Sequence, residues 1–188
     1  MTFIVDDRKN TASFESRAML ETILGVTNTV TGDIAFDPEN LSGPVKGSVV
    51  IDLASLKTGI DKRDADMKND FLEVAKYPTA TFEVAEIVSS DKPKVADGET
   101  ANLVVAGRLT IHGVTKEIQA PVTVAYRTSI PGMEKAYPGE VAAVRTTFDV
   151  KLADHAVERP QILFLKLDET IHVSVQFTAA SGRTKAQS

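Results

Sequence analysis

The chain has 188 residues, enough for one well-buried core and short for two, so it reads as a single domain over residues 1–180 followed by a polar, disordered tail at 181–188. A net charge of -5 argues against binding a nucleic-acid backbone, and the 43% apolar and 25% charged residues are those of a soluble globular protein with no membrane span. Cysteine is absent, which removes disulfides, thiolate metal sites and thiol nucleophiles, and no cofactor is called for.

MTFIVDDRKN lacks a basic region followed by an apolar run. The chain therefore reads as cytoplasmic as written, or as periplasmic or secreted if a leader was removed. Phe3 to Asp6 and Thr11 to Glu15 look like one strand broken by a turn or bulge at DDRKN. In Arg17 to Thr27, Met19, Leu20, Ile23 and Leu24 stand at helical spacing before Gly25, which predicts a short helical turn or two.

Period two then takes over. Val30, Gly32, Ile34 and Phe36 share one face of a strand that ends at Asp37-Pro38-Glu39-Asn40; Val45, Gly47, Val49, Ile51 and Leu53 share one face of the next. The stretch from Ser55 to Phe82 breaks the pattern and predicts a turn, a short helix and a return to strand. Ile60, Met67, Phe71 and Val74 fall on one helical face that can close one end of a sheet structure, while Pro78 forces extended geometry. Ala80, Phe82 and Val84 begin another strand whose apolar phase changes by Ile87, the mark of a bulge.

Leu103 to Ile111, Ile118 to Tyr126, Val144 to Leu152 and Ile171 to Ala179 continue the alternation, with a loop at SIPGMEKAYPGE. About eight strands separated by turns describe an antiparallel barrel or sandwich, and length favours the barrel: a strand from Val114 to about Arg127 would reach roughly 45 Å at ~3.3 Å per residue. A barrel of that size either fills its interior or holds one small ligand. Gly32, Gly47, Gly107, Ala120 and Thr146 on the inward face leave room for a ligand, or else the glycines mark bends where strands coil.

Three stretches carry a resemblance: Gly32-Asp33-Ile34-Ala35-Phe36-Asp37-Pro38-Glu39; Thr58-Gly59 with Arg63-Asp64, Met67-Lys68, Phe71-Leu72 and Tyr77-Pro78-Thr79-Ala80-Thr81-Phe82; and Gly107-Arg108-Leu109-Thr110-Ile111-His112-Gly113-Val114-Thr115-Lys116. In these, and in element order from Phe3 to about Ala179, the chain resembles the YceI family of polyisoprenoid-binding barrels. It departs in having no histidine in TASFESRAMLETILG and in placing Asp149 where the family's R-x-x-F-G motif ends in glycine. The resemblance implies an all-β fold, an antiparallel eight-stranded lipocalin-like barrel with a short helix closing one end. It further implies non-catalytic binding of a long-chain isoprenoid or other lipid, such as a fatty-acid-like chain or amide, as carrier, buffer or stress-related sequestration protein, often as a homodimer.

The side chains expected to meet the lipid are Phe14, Phe36, Ile51, Met67, Phe71, Phe82, Leu109, Ile111, Val122, Val124, Tyr126, Phe148, Val150, Val173 and Phe177. Arg63 and Lys57 are head-group candidates, binding an anion by charge-assisted hydrogen bonds. The competing reading, which is favoured, has Asp61 capping the helix, Asp64 favouring its N-terminal end and Arg63 pairing with a carboxylate to pin the helix. His112, His155 and His172 show no zinc-ligand spacing, so no metal site is expected. Ile162 to Leu167 is an apolar run that reads as core or interface, with a lid as the alternative. Two other functions stay open: a hydrolase or isomerase acting on a lipid-like substrate at the barrel mouth, and a filled barrel serving as an interaction module.

Overall fold

Strict alternation of apolar and polar residues leaves one face of each strand with nowhere to go but against the matching faces of its neighbours, and here the sheet closes on itself. The computed structural model describes residues 1–5, 10–17, 21–158 and 168–184. Its strands are β1 (Thr2–Val5), β2 (Thr11–Arg17), β3 (Thr22–Thr27), β4 (Val30–Ala35), β5 (Lys46–Asp52), β6 (Thr79–Ser90), β7 (Thr100–Ile111), β8 (Val114–Arg127), β9 (Val141–Lys151) and β10 (Thr170–Ala180). All pairings are antiparallel, in the order β1-β4-β5-β6-β7-β8-β9-β10-β2-β3, with β1 also on β10.

These segments form eight staves, because two staves are each split. The strand β10 pairs with β2 through His172–Gln176 and with β1 through Ala179 and Ala180, so β1 and β2 are halves of one interrupted strand, as the sequence suggests. Likewise β3 lies on β2 while β4 lies on β1 and β5. The buried Asn10 stitches the two breaks together: its Nδ2 donates to Val30 O (2.9 Å), its Oδ1 accepts from Thr178 N, and its own carbonyl accepts from Asn28 Nδ2 (2.7 Å).

Residues Thr22–Thr27 are strand and not the helical turns that the apolar spacing suggests. Ile23, Gly25 and Thr27 point inward while Leu24 is 53% exposed. The period of two was hidden because two of the three inward positions are not apolar. The phase change in β6 is real, with register shifts between Val84 and Glu86 and between Ile87 and Ser89.

The inward glycines turn out to serve close packing. A Cβ on Gly107 would lie 2.5 Å from Phe82 Cζ, so the Phe82 ring occupies the space the glycine leaves. Gly32, at φ +134, brings its strand against Ser48 O on β5. One half of the barrel is solid, with Phe3 stacked on Phe36 at 4.9 Å among Leu41, Val95, Leu103 and Val124. Loops close that end through Leu41 N to Pro93 O and Val95 N to Pro38 O.

At the C-terminus, Ser181 to Arg183 are held rather than loose: Ser181 N donates to Glu140 O, Ser181 Oγ accepts from Glu140 N, and Arg183 Nη2 reaches Ala136 O. The apolar run from Ile162 to Leu167 and the last four residues of the tail lie outside the described residues.

Candidate functional site

The other half of the barrel is hollow. A cavity of about 700 Å³ opens beneath the helical segment, within the ~300–1,000 Å³ of small-molecule sites. Its apolar wall includes Phe14, Ile51, Leu53, Leu56, Leu109, Ile111, Phe148, Val150, Ile171 and Val173, with Met67, Phe71 and Leu72 from above. A smaller hollow of about 100 Å³ continues toward the solid half, lined by Phe82, Val122, Thr146, Val175 and Phe177. The two share Ile51, Ala80, Leu109 and Phe148, so they adjoin at these residues.

The cap is α1 (Asp61–Asp66) running into a π-helical turn, Met67–Phe71, and neither contains a buried residue. Ile60, Met67 and Phe71 line the cavity, while Val74 packs on the small cluster of Leu53, Leu56 and Ala80. An apolar stripe laid over a space instead of a packed core explains why Met67, Phe71 and Val74 stay only partly buried while Ile60 is 51% exposed.

With little packing beneath it, the cap is held by polar bonds. Asp61 does not cap α1; the N-cap position is Ile60, without a side-chain cap. The Asp64 carboxylate instead reaches back, accepting from the Thr58 amide at 2.7 Å and the Thr58 hydroxyl at 2.6 Å. Desolvation raises the Asp64 pKa, but the Thr58 bonds, then Lys68 and Arg63, outweigh it and hold the carboxyl below its ordinary range. This contribution to stability is present above the ordinary value of 3.8 and is lost as pH falls through the lowered pKa.

Arg63 donates from Nε to Thr58 Oγ1 (2.8 Å), from Nη2 to Thr58 O (3.1 Å) and from Nη1 to Glu21 Oε2 (3.2 Å). The carboxylate partner is Glu21, which also lines the cavity. Arg63→Ala should lower Tm by roughly 4–8 °C, from about 2 kcal/mol of charge-assisted bonding in a chain of this size. An unchanged Tm with loss of an anionic ligand would instead make Arg63 a head-group site. Lys57 lies off the cavity: its backbone pairs with Val26, and the residue is exposed.

At the far edge of the cap, His112 Nε2 bonds Glu73 Oε2 (2.6 Å) and its ring meets Tyr77 edge-on at 4.6 Å. Two of the motif stretches thus meet where the β7–β8 turn fastens the end of the cap. His172 pairs with Asp149 on the outer surface. His155 is buried on the cavity wall, and its Nδ1 donates to Val114 O at 2.9 Å. Among the described residues no group of acidic and histidine side chains is arranged to hold a metal ion.

Of the side chains expected to meet a ligand, Phe14, Ile51, Met67, Phe71, Leu109, Ile111, Phe148, Val150 and Val173 line the larger space, and Phe82, Val122 and Phe177 the floor. Phe36, Val124 and Tyr126 do not: alternation places them inward, but at the solid end. The Tyr126 hydroxyl donates to Glu140, and burial together with that carboxylate pushes its pKa well up. Sequence reading missed Ser16, Glu21, Ile23, Leu53, Leu56 and His155 on the wall. Ile23 could have been found from the pairing of its strand with the alternating β2; His155, in a 3-10 turn (Leu152–His155), carried no periodic signal.

The comparisons with known proteins agree with this architecture. The YceI-like domain model matches residues 3–179. A UPF0312 protein of Vibrio parahaemolyticus is 35% identical over 133 residues, 70% of this chain and 63% of that protein. One from Pseudomonas aeruginosa is 33% identical over 137 residues, 72% of this chain and 64% of that protein. The matched stretch thus spans less than two thirds of these relatives. Among solved structures, a polyisoprenoid binding domain from Saccharophagus degradans superposes with a TM-score of 0.72 at 22% identity, covering 95% of this chain and 97% of that one. BcnA of Burkholderia cenocepacia gives 0.71 at 22% identity, covering 94% and 99%. A barrel solid at one end and hollow under a polar-tethered cap, matched along almost its whole length, is a member of the YceI-like family.

Proposed function

We propose that this barrel binds a long-chain apolar lipid, of the isoprenoid or fatty-acyl-like class, in the space beneath the cap, and acts as a carrier or buffer without chemical turnover. The observation that carries the reading is the cavity itself, apolar along its depth and covered by a helical segment with no buried residue of its own. Burial of each methylene removes it from water for about 0.8 kcal/mol, so affinity accrues along the chain with few polar contacts. The likeness to a domain described as polyisoprenoid binding supports the same class of ligand.

The wall offers no assembled nucleophile, base and orienting group among the described residues, and the His155 Nδ1 is engaged with a backbone carbonyl. Native mass spectrometry of the purified protein, before and after organic extraction and after adding a long prenyl alcohol, tests the proposal. The expected result is a one-to-one complex whose lipid is recovered unaltered. No complex under any of these conditions, or a lipid recovered chemically changed, would overturn it.

A further inference from the structure

Resting on that lipid-binding reading, we propose that the cavity selects a lipid whose head group is uncharged and hydrogen-bonding, an alcohol, amide or carbonyl, seated at the mouth against the hydroxyl of Ser16. Ser16 is 1% exposed, and among the described residues its Oγ has no hydrogen-bond partner. Buried hydroxyls are nearly always partnered, and leaving one unpaired carries a cost equivalent to about tenfold in an equilibrium. This one borders the cavity, inward on β2 beside Phe14 and opposite Ile23 of β3. A turn about its single χ1 bond moves the hydroxyl between staggered positions. A lipid head group with one donor or acceptor supplies what the empty barrel lacks.

The polarity of the wall sets the direction of the lipid. Glu21, Thr58, Lys62, Arg63, Asp66 and Asp70 gather at the cap end, whereas the narrow end is apolar apart from Thr81 and Thr146. Thr146 Oγ1 is also unpartnered among the described residues. It faces Val175 on β10, whereas Ser16 lies one step beyond the Glu15–His172 pair, so the two hydroxyls are separated by roughly 13 Å of strand. The tail takes the narrow end and the head the mouth.

Charge sets the class of head group. The described mouth residues carry four carboxylates, Glu21, Asp66, Asp70 and Glu158, against two cations. Both cations are engaged, Lys62 with Asp66 at 3.2 Å and Arg63 with Glu21 at 3.2 Å. An anionic head group would enter a surplus of negative charge, whereas a neutral one gains the Ser16 bond without that penalty.

The test titrates delipidated full-length protein with geranylgeraniol, the hydrocarbon of matching length and the corresponding monophosphate. The wild type should bind the alcohol about tenfold more tightly than the hydrocarbon, with the phosphate weaker than the alcohol. Ser16→Ala should erase the advantage of the alcohol, leave the hydrocarbon unchanged, and not lower the Tm of the lipid-free protein, since an unpaired hydroxyl has been removed. Thr146→Val should leave the advantage intact. Equal binding of alcohol and hydrocarbon, phosphate binding as tight as alcohol, or loss of the preference in Thr146→Val instead of Ser16→Ala would each overturn the head-group assignment while leaving lipid binding standing. Binding of none of the three would overturn both.

Discussion

Ala80→Phe should abolish most lipid capture while the lipid-free barrel remains folded. Ala80 lines the wide and narrow parts of the cavity where they join, and its strand pairs it with Ile51, another shared wall residue. A ring placed there stands between the two hollows and excludes the tail from the floor. Displacing about four methylenes at ~0.8 kcal/mol each forfeits about 3 kcal/mol, roughly 200-fold in affinity. Because Ala80 also belongs to the buried cluster with Leu53 and Leu56, the ring is expected to cost ~1–3 kcal/mol of stability through overpacking, which leaves the barrel folded. Lipid titration and thermal melting of one sample separate the two effects. Wild-type affinity in Ala80→Phe would mean that the lipid does not use this space.

The opposite pattern is expected from Phe36→Ala. Phe36 is 6% exposed and stacks on the fully buried Phe3, and the loops that seal that end pack over it. Truncating a buried Phe costs ~3–5 kcal/mol, which in a chain of this size lowers Tm by about 10 °C. Lipid affinity at a temperature where the variant is folded should change little, because Phe36 does not touch the cavity. A large loss of affinity with a small change in Tm would mean that the cavity extends to the Phe3–Phe36 end of the barrel. Together the two substitutions separate the half of the barrel that stabilises the fold from the half that remains hollow at a cost in packing.

That division explains where sequence reading succeeded and where it stopped. A period of two is a local property, visible wherever inward positions are apolar, so the strands from Val30 to Leu53 and from Leu103 to Ala179 could be placed without coordinates. It fails where an inward position is filled by a residue with no apolar signal. At Thr22–Thr27 the inward Gly25 leaves space for the Phe14 ring across the strand pair, and Thr27 bonds Ser55; neither partner is near in sequence.

Alternation likewise says which face a side chain takes but not how far along the barrel axis it sits. Phe36, Val124 and Tyr126 carry the same inward signal as Phe14, Phe148 and Val150, yet they stand at the solid end. Gly107 could have meant room or close approach, and only the position of the Phe82 ring decides for close approach.

By itself, then, the sequence of this protein determined an all-β chain, its long strands, the bulge near Ile87, the helical break between Ser55 and Phe82, and, through three motif stretches, its family. These follow from spacing along the chain and from local turn chemistry. Only the tertiary structure decided which end of the barrel is hollow, that Arg63 is tied to Thr58 and Glu21, and that Ser16 is left without a partner among the described residues. Each of those is a relation between residues on different strands, fixed by register and by which side chains fill the shared interior.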